Sequence, residues 1–223
     1  MLARMLAELM RPSLVFALAL LSAAPAFAAP PVSIGVPEKG EGTVALFGGM
    51  RLIPGNGNYL NDQGGKHQLF QPGALAAFGY QFDDDLHFTI DLGYGIDSYQ
   101  LRTGGDLQVR SFQVLLGVDT VLKRGRWYTV YGGGGIGYSL NTGSRNGVNN
   151  EANSTAVYLA LGWRMRLSEK LALVLEDRYT LANAAVDPTS TRTLNVGGNL
   201  FMVGFLFHFL EPDEKGMAPH SGN

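Results

Sequence analysis

Eight ionisable side chains, Arg51, Asp91, Asp97, Asp119, Arg164, Arg166, Glu176 and Arg178, share one placement. Each falls on the small or polar phase of a segment whose alternate residues are apolar. Four are acids and four are bases. A charge hidden from water without a partner is costly, so a balanced set on enclosed faces points to mutual pairing. Glu176 and Arg178 lie two apart on one strand face, and Arg164 and Arg166 do the same on the preceding segment. Planar guanidinium–carboxylate contacts suit that pair of faces as the pairing centre. The same groups have a second use, as the lining of a narrow gated pore. Other patterns carry less. The four glycines at 132–135 lack the lysine and following helix of a phosphate loop. They read instead as a place where a strand bends or bulky neighbours approach. His87 and His208 fall inward on different segments, and two isolated histidines are satisfied polar residues before they are metal ligands.

The elements that position these groups follow from a two-residue period. In 86–96, Leu86, Phe88, Ile90, Leu92, Tyr94 and Ile96 point one way, and His87, Thr89, Asp91, Gly93 and Gly95 point the other. The period recurs and predicts strands at 43–53, 73–82, 86–100, 107–122, 127–140, 155–167, 171–181 and 194–209. Every one has an apolar face, which suits lipid outside a closed barrel. The links alternate in length. Residues 83–85, 123–126 and 168–170 are tight polar turns; 54–72, 141–154 and 182–193 are long. The link at 103–106 is the short exception, so the third and fourth strands are the ones expected to extend beyond the membrane and offer an edge to partners. Asn, Gly and Ser in 54–65 and 142–154 predict mobile tips. The fold class is therefore all-β: an eight-stranded antiparallel up-and-down transmembrane β-barrel.

Aromatic residues support the lipid-facing phase. Tyr80, Phe82, Phe88, Tyr128, Trp163, Phe207 and Phe209 lie toward the short-turn end, and Tyr94, Tyr138 and Tyr179 toward the long-loop end. Amphipathic rings prefer the headgroup level. Asp177 breaks the pattern, because its phase is outward. A bulge or a place near the outer rim is expected to relieve it.

Composition bounds the class. The chain has 223 residues, a formal charge of −2, 30 glycines and no cysteine. No basic stripe is available for nucleic acid. No disulfide or thiolate metal site is possible, and no cofactor is indicated. Residues 1–28 read as a signal peptide: Arg11, an apolar run at 14–21, then Ala26 and Ala28 before cleavage at Ala29. The run is shorter than the ~20 residues of a spanning helix. Glu8 is unusual in a positive leader, so translation is expected to start at Met10. Residues 29–42 form a Pro- and Gly-bearing periplasmic lead-in, 43–209 the barrel and 210–223 a flexible periplasmic tail.

Two stretches carry a family resemblance. One is Tyr131-Gly132-Gly133-Gly134-Gly135-Ile136-Gly137-Tyr138, and the other is Gly204-Phe205-Leu206-Phe207-His208-Phe209. The chain resembles the small eight-stranded outer-membrane barrels of the OmpA-domain, OmpX, OmpW and opacity-adhesin kind. In that family a terminal glycine followed by alternating aromatics is read by the barrel-assembly machinery. The resemblance assigns that role to Gly204, Phe205, Phe207 and Phe209. Met202 stands where the signal usually has a polar residue, and 210–223 follow the final aromatic, so the signal is internal here. The resemblance implies a salt-bridged lumen, outer-membrane lipid and lipopolysaccharide as surroundings, and both termini in the periplasm of a Gram-negative cell. It implies a non-enzymatic structural, envelope-stabilising or adhesin-like role, with a small channel or a passage for apolar molecules as the alternative. Some barrels of this size modify lipid A. The deacylase histidine–serine motif is absent at His208; His67 with Asp97 and Ser98 fits the palmitoyltransferase pattern only in residue types. A soluble periplasmic β-protein would leave the outward phase unexplained. No surface partner is readable from the loops.

Overall fold

The computed structural model describes residues 40–52, 59–60, 66–67, 71–102, 105–168 and 170–209. The signal-peptide, lead-in and tail expectations fall outside these residues, apart from 40–42. Ten strands occur among the described residues: β1 (Gly42–Leu52), β2 (Lys66–His67), β3 (Gln71–Gln81), β4 (Leu86–Gln100), β5 (Leu107–Arg124), β6 (Tyr128–Arg145), β7 (Val148–Arg166), β8 (Leu171–Ala184), β9 (Leu194–Asn195) and β10 (Gly198–Phe209). The eight long strands are those expected from the alternation; β2 and β9 are two-residue pieces. Consecutive long strands pair antiparallel, β2 pairs β4, β9 pairs β8, and β10 pairs both β8 and β1. The register Gly42↔Phe209 through Leu52↔Asn199 closes the sheet on itself. Closure leaves every transmembrane strand paired on both sides, which is the condition for crossing hydrocarbon with strands. No helix among the described residues is long and apolar enough to cross a membrane.

The alternation sets the two faces. Outward-phase residues such as Leu46, Phe78, Ile90, Leu116, Ile136, Leu159 and Phe205 are exposed, whereas Ala45, Ala77, Asp91, Leu115 and Val174 on the inward phase are buried. A soluble sandwich would reverse this, covering its apolar face with a second sheet.

Three expectations are corrected. The stretch 141–154 is not a mobile loop. β6 and β7 run on and meet at a two-residue turn, with Arg145 paired to Val148. Asn146 and Gly147 have φ of 52° and 79°. Asn and Gly tolerate this left-handed pair, and its twist matches the flanking strands. The longest strands are accordingly β5, β6 and β7, so the extension runs through the fourth, fifth and sixth barrel strands rather than being centred on the third and fourth. Finally, Asp177 sits at neither a bulge nor a rim. It is mid-strand in β8, in unbroken register between Leu161 and Phe201, and it is buried.

Candidate functional site

The lumen is the place where the chain gathers its ionisable groups, and it is built in tiers. Nearest the short turns, Arg164 Nη2 donates to Asp119 Oδ2 at 2.9 Å. His87 joins them, with Nδ1 3.5 Å from Asp119 Oδ2 and Nε2 2.9 Å from Thr43 Oγ1. In the middle, Arg178 Nη1 donates to Asp91 Oδ2 at 2.6 Å and Arg178 Nε to Glu176 Oε1 at 2.8 Å. Tyr131 donates its hydroxyl to the other Glu176 oxygen at 2.5 Å. Above them Arg51 grips both oxygens of Asp97 and donates Nη1 to the Val196 carbonyl at 3.1 Å. Two rings back the guanidiniums: Arg164 lies 4.0 Å from the Tyr131 ring centroid and Arg178 4.2 Å from that of Tyr158. Such stacking suits a planar, weakly hydrated cation.

Seven of the eight expected lumen charges thus meet in three ion-paired groups. The eighth, Arg166, does not join them. It is half-buried at the β7–β8 turn and donates Nε to the Ser168 carbonyl at 2.8 Å. The expected centre also rearranges. Glu176 and Arg178 bond each other along one strand, but Arg164 turns to Asp119 rather than to them. His208 approaches Glu41, with Nδ1 and Oε2 3.5 Å apart. Among the described residues no group of three or more histidines, cysteines or carboxylates is placed to hold a metal.

Glycine makes the tiers possible. A Cβ on Gly133 would lie 2.1 Å from Asp119 Oδ1, and one on Gly162 2.1 Å from Tyr131 Cζ. The glycine-rich strand therefore leaves space for large inward side chains, the second of the two uses read from its sequence. Two lumen cavities, one bounded by Asp91, Asp119, Arg164 and Arg178 and one by Arg51, Gln113 and Arg178, each measure about 20 Å³. That volume admits a single water molecule.

The long-loop half of the lumen holds an apolar cluster that no local sequence pattern marks. Tyr99, Leu107, Val109, Leu115 and Tyr158 from the wall pack with Tyr59, Leu60, Val186, Leu194 and Val196 from the connections. A latch fastens those connections. Asp187 accepts from Tyr59 Oη at 2.5 Å, from Arg145 Nη1 at 2.9 Å, and from the backbone and hydroxyl of Thr189 at 2.9 Å each. Burial pushes the Asp187 carboxyl up, but the Tyr59 and Thr189 hydrogen bonds and the Arg145 charge outweigh it and hold the group below its usual range. Burial, then the bond to Asp187, pushes the Tyr59 hydroxyl up, so it stays a donor. Gly143 lets Val186 lie against β6, because a Cβ there would sit 2.0 Å from the Val186 carbonyl.

The acyl-transfer pattern loses its acid. Asp97 is held by Arg51, and Ser98 exchanges backbone hydrogen bonds with the Gln71 side chain at 2.6 and 3.2 Å. The His67 side chain lies outside the described residues; its backbone pairs with Tyr99.

Comparison with known proteins places the fold. Residues 14–209 match the family described as outer membrane protein beta-barrel domain. The crystal structure of outer membrane protein OprG from Pseudomonas aeruginosa aligns with a TM-score of 0.57 at 15% identity, covering 80% of this chain and 100% of that one. Neisserial surface protein A aligns with a TM-score of 0.54 at 13% identity, covering 77% of this chain and 98% of that one. No curated protein sequence matches the chain.

Proposed function

Because this chain belongs to the outer membrane β-barrel family, we propose that it is a non-enzymatic structural protein of the Gram-negative outer membrane. In this reading the short turns face the periplasm, and the extended β6–β7 hairpin and the latched connections face outward. The observation that carries it is the filled lumen. Three ion-paired groups stack beneath an apolar layer, and the cavities beside Arg178 are each about 20 Å³. A solute has no room there, and each buried charge already has a partner. The barrel then acts through its surfaces: lipid on the band, envelope or cell-surface partners at the rims. Planar-bilayer recording tests this. The filled lumen predicts a silent barrel, and a lasting open state overturns it.

One observation favours a second reading, a passage for small apolar molecules. The upper lumen is lined by Tyr99, Leu107, Val109 and Leu115, and what fills it is the chain's own Tyr59, Leu60, Val186 and Val196. Displacing those residues would bare an apolar chamber. Binding of an apolar fluorescent probe to the Asp187→Asn variant, but not to the parent, would favour this second reading.

A further inference from the structure

One stretch of the short-turn rim combines features found nowhere else among the described residues. Trp127, Tyr128 and Trp163 form a cluster, with centroid separations of 5.6, 6.5 and 5.7 Å. Beside it the β5–β6 register shifts between Val121 and Lys123. Odd-numbered residues of β5 face the lumen as far as Val121; the bulge turns the phase, so Leu122 and Lys123 are both exposed. Lys123 then pairs with Val130, which pairs with Trp163, so an ammonium and an indole share one outward row. Bulges often serve to re-aim a side chain in this way. Arg126 is exposed in the turn that follows. Between these two cations Arg124 is already engaged, donating to the Asp84 carbonyl and pairing with Asp85 at 2.8 Å. Lys123 and Arg126 form no ion pair among the described residues.

We propose that Lys123 and Arg126, with the Trp127–Tyr128–Trp163 cluster, bind the headgroup of an anionic phospholipid. The proposal rests on the membrane reading above. Indole and phenol rings settle at the glycerol and headgroup level, and two cations with no ion-pair partner among the described residues attract a lipid phosphate at that level. Charge complementarity picks the anionic class: a basic side chain near a membrane surface enriches anionic lipid on the order of fivefold. The neighbouring turn carries Asp83, Asp84 and Asp85 and has no such attraction.

The chain supplies its own reporter, because its two tryptophans are Trp127 and Trp163. The folded full chain is reconstituted in phosphatidylcholine vesicles doped with either brominated phosphatidylglycerol or brominated phosphatidylcholine at equal fraction. The site predicts about twofold or greater excess quenching by the anionic lipid. The excess should vanish in Lys123→Gln/Arg126→Gln and persist in Arg110→Gln, at the other end of the barrel. It should also fall at high salt in the parent protein, a readout that needs no variant. Equal quenching by the two lipids overturns the site, as does an excess that survives the double substitution. Absence of quenching by either lipid overturns the membrane reading itself and the site with it.

Discussion

Arg178 on β8 and Asp91 on β4 meet across the lumen at 2.6 Å, although 87 residues separate them in the chain. The same guanidinium holds Glu176 at 2.8 Å, so one cation pairs with two enclosed carboxylates. Removing it leaves both uncompensated. Arg178→Met should destabilise the barrel by about 3–5 kcal/mol, the usual cost of orphaning a buried charge. Adding Asp91→Asn and Glu176→Gln should recover much of that loss. Urea unfolding in detergent micelles measures both steps.

Tyr131 depends on a missing side chain. Its ring occupies the space where Gly162 would carry a Cβ, 2.1 Å from Cζ. Gly162→Ala must push the ring off Arg164 and Glu176, and should cost about 1–3 kcal/mol. Gly48 faces outward with nothing within 4 Å of a Cβ, so Gly48→Ala should stay within about 0.5 kcal/mol. Parallel unfolding curves separate the two.

The phases of the eight long strands were legible because lipid outside and a crowded lumen inside impose a strict period of two. Leu46, Phe88 and Phe205 outward, and Asp91 and Glu176 inward, follow from that alone. Pairing across the lumen was not legible. Which acid Arg164 reaches depends on the stagger of the closed sheet, a property of the whole barrel rather than of local sequence. The β6–β7 hairpin had a signal that was outweighed. Asn146-Gly147 between Arg145 and Val148 marks a two-residue turn, but the surrounding Asn, Gly and Ser suggested a loop. Lys123 reads from sequence as part of the 123–126 turn; the bulge that keeps it on β5 as an outward residue has no local signal.

The Asp187 latch makes the long-loop end acid-sensitive. Its carboxyl lies below the usual range when folded. A depressed acid stabilises the folded state above its unfolded pKa, and that contribution is lost as pH falls through the folded pKa. Limited proteolysis in 185–193 should therefore stay slow at neutral pH and accelerate below the normal carboxylate range. Asp187→Asn should show the fast rate already at neutral pH.

Gly147 should resist substitution for a conformational reason. Its φ is 79°, and a Cβ there would meet nothing within 4 Å. Gly147→Val should cost about 1–2 kcal/mol from backbone strain alone. Protease sensitivity of the hairpin tip reports the loss.

Everything rests on lipid, rather than protein, covering the outward residues. Outer-membrane fractionation with heat-modifiable gel mobility tests this most directly. The closed barrel predicts recovery with the outer membrane and a faster-migrating band before heating, shifting only on boiling. Recovery as freely soluble protein with one mobility, heated or not, would contradict it.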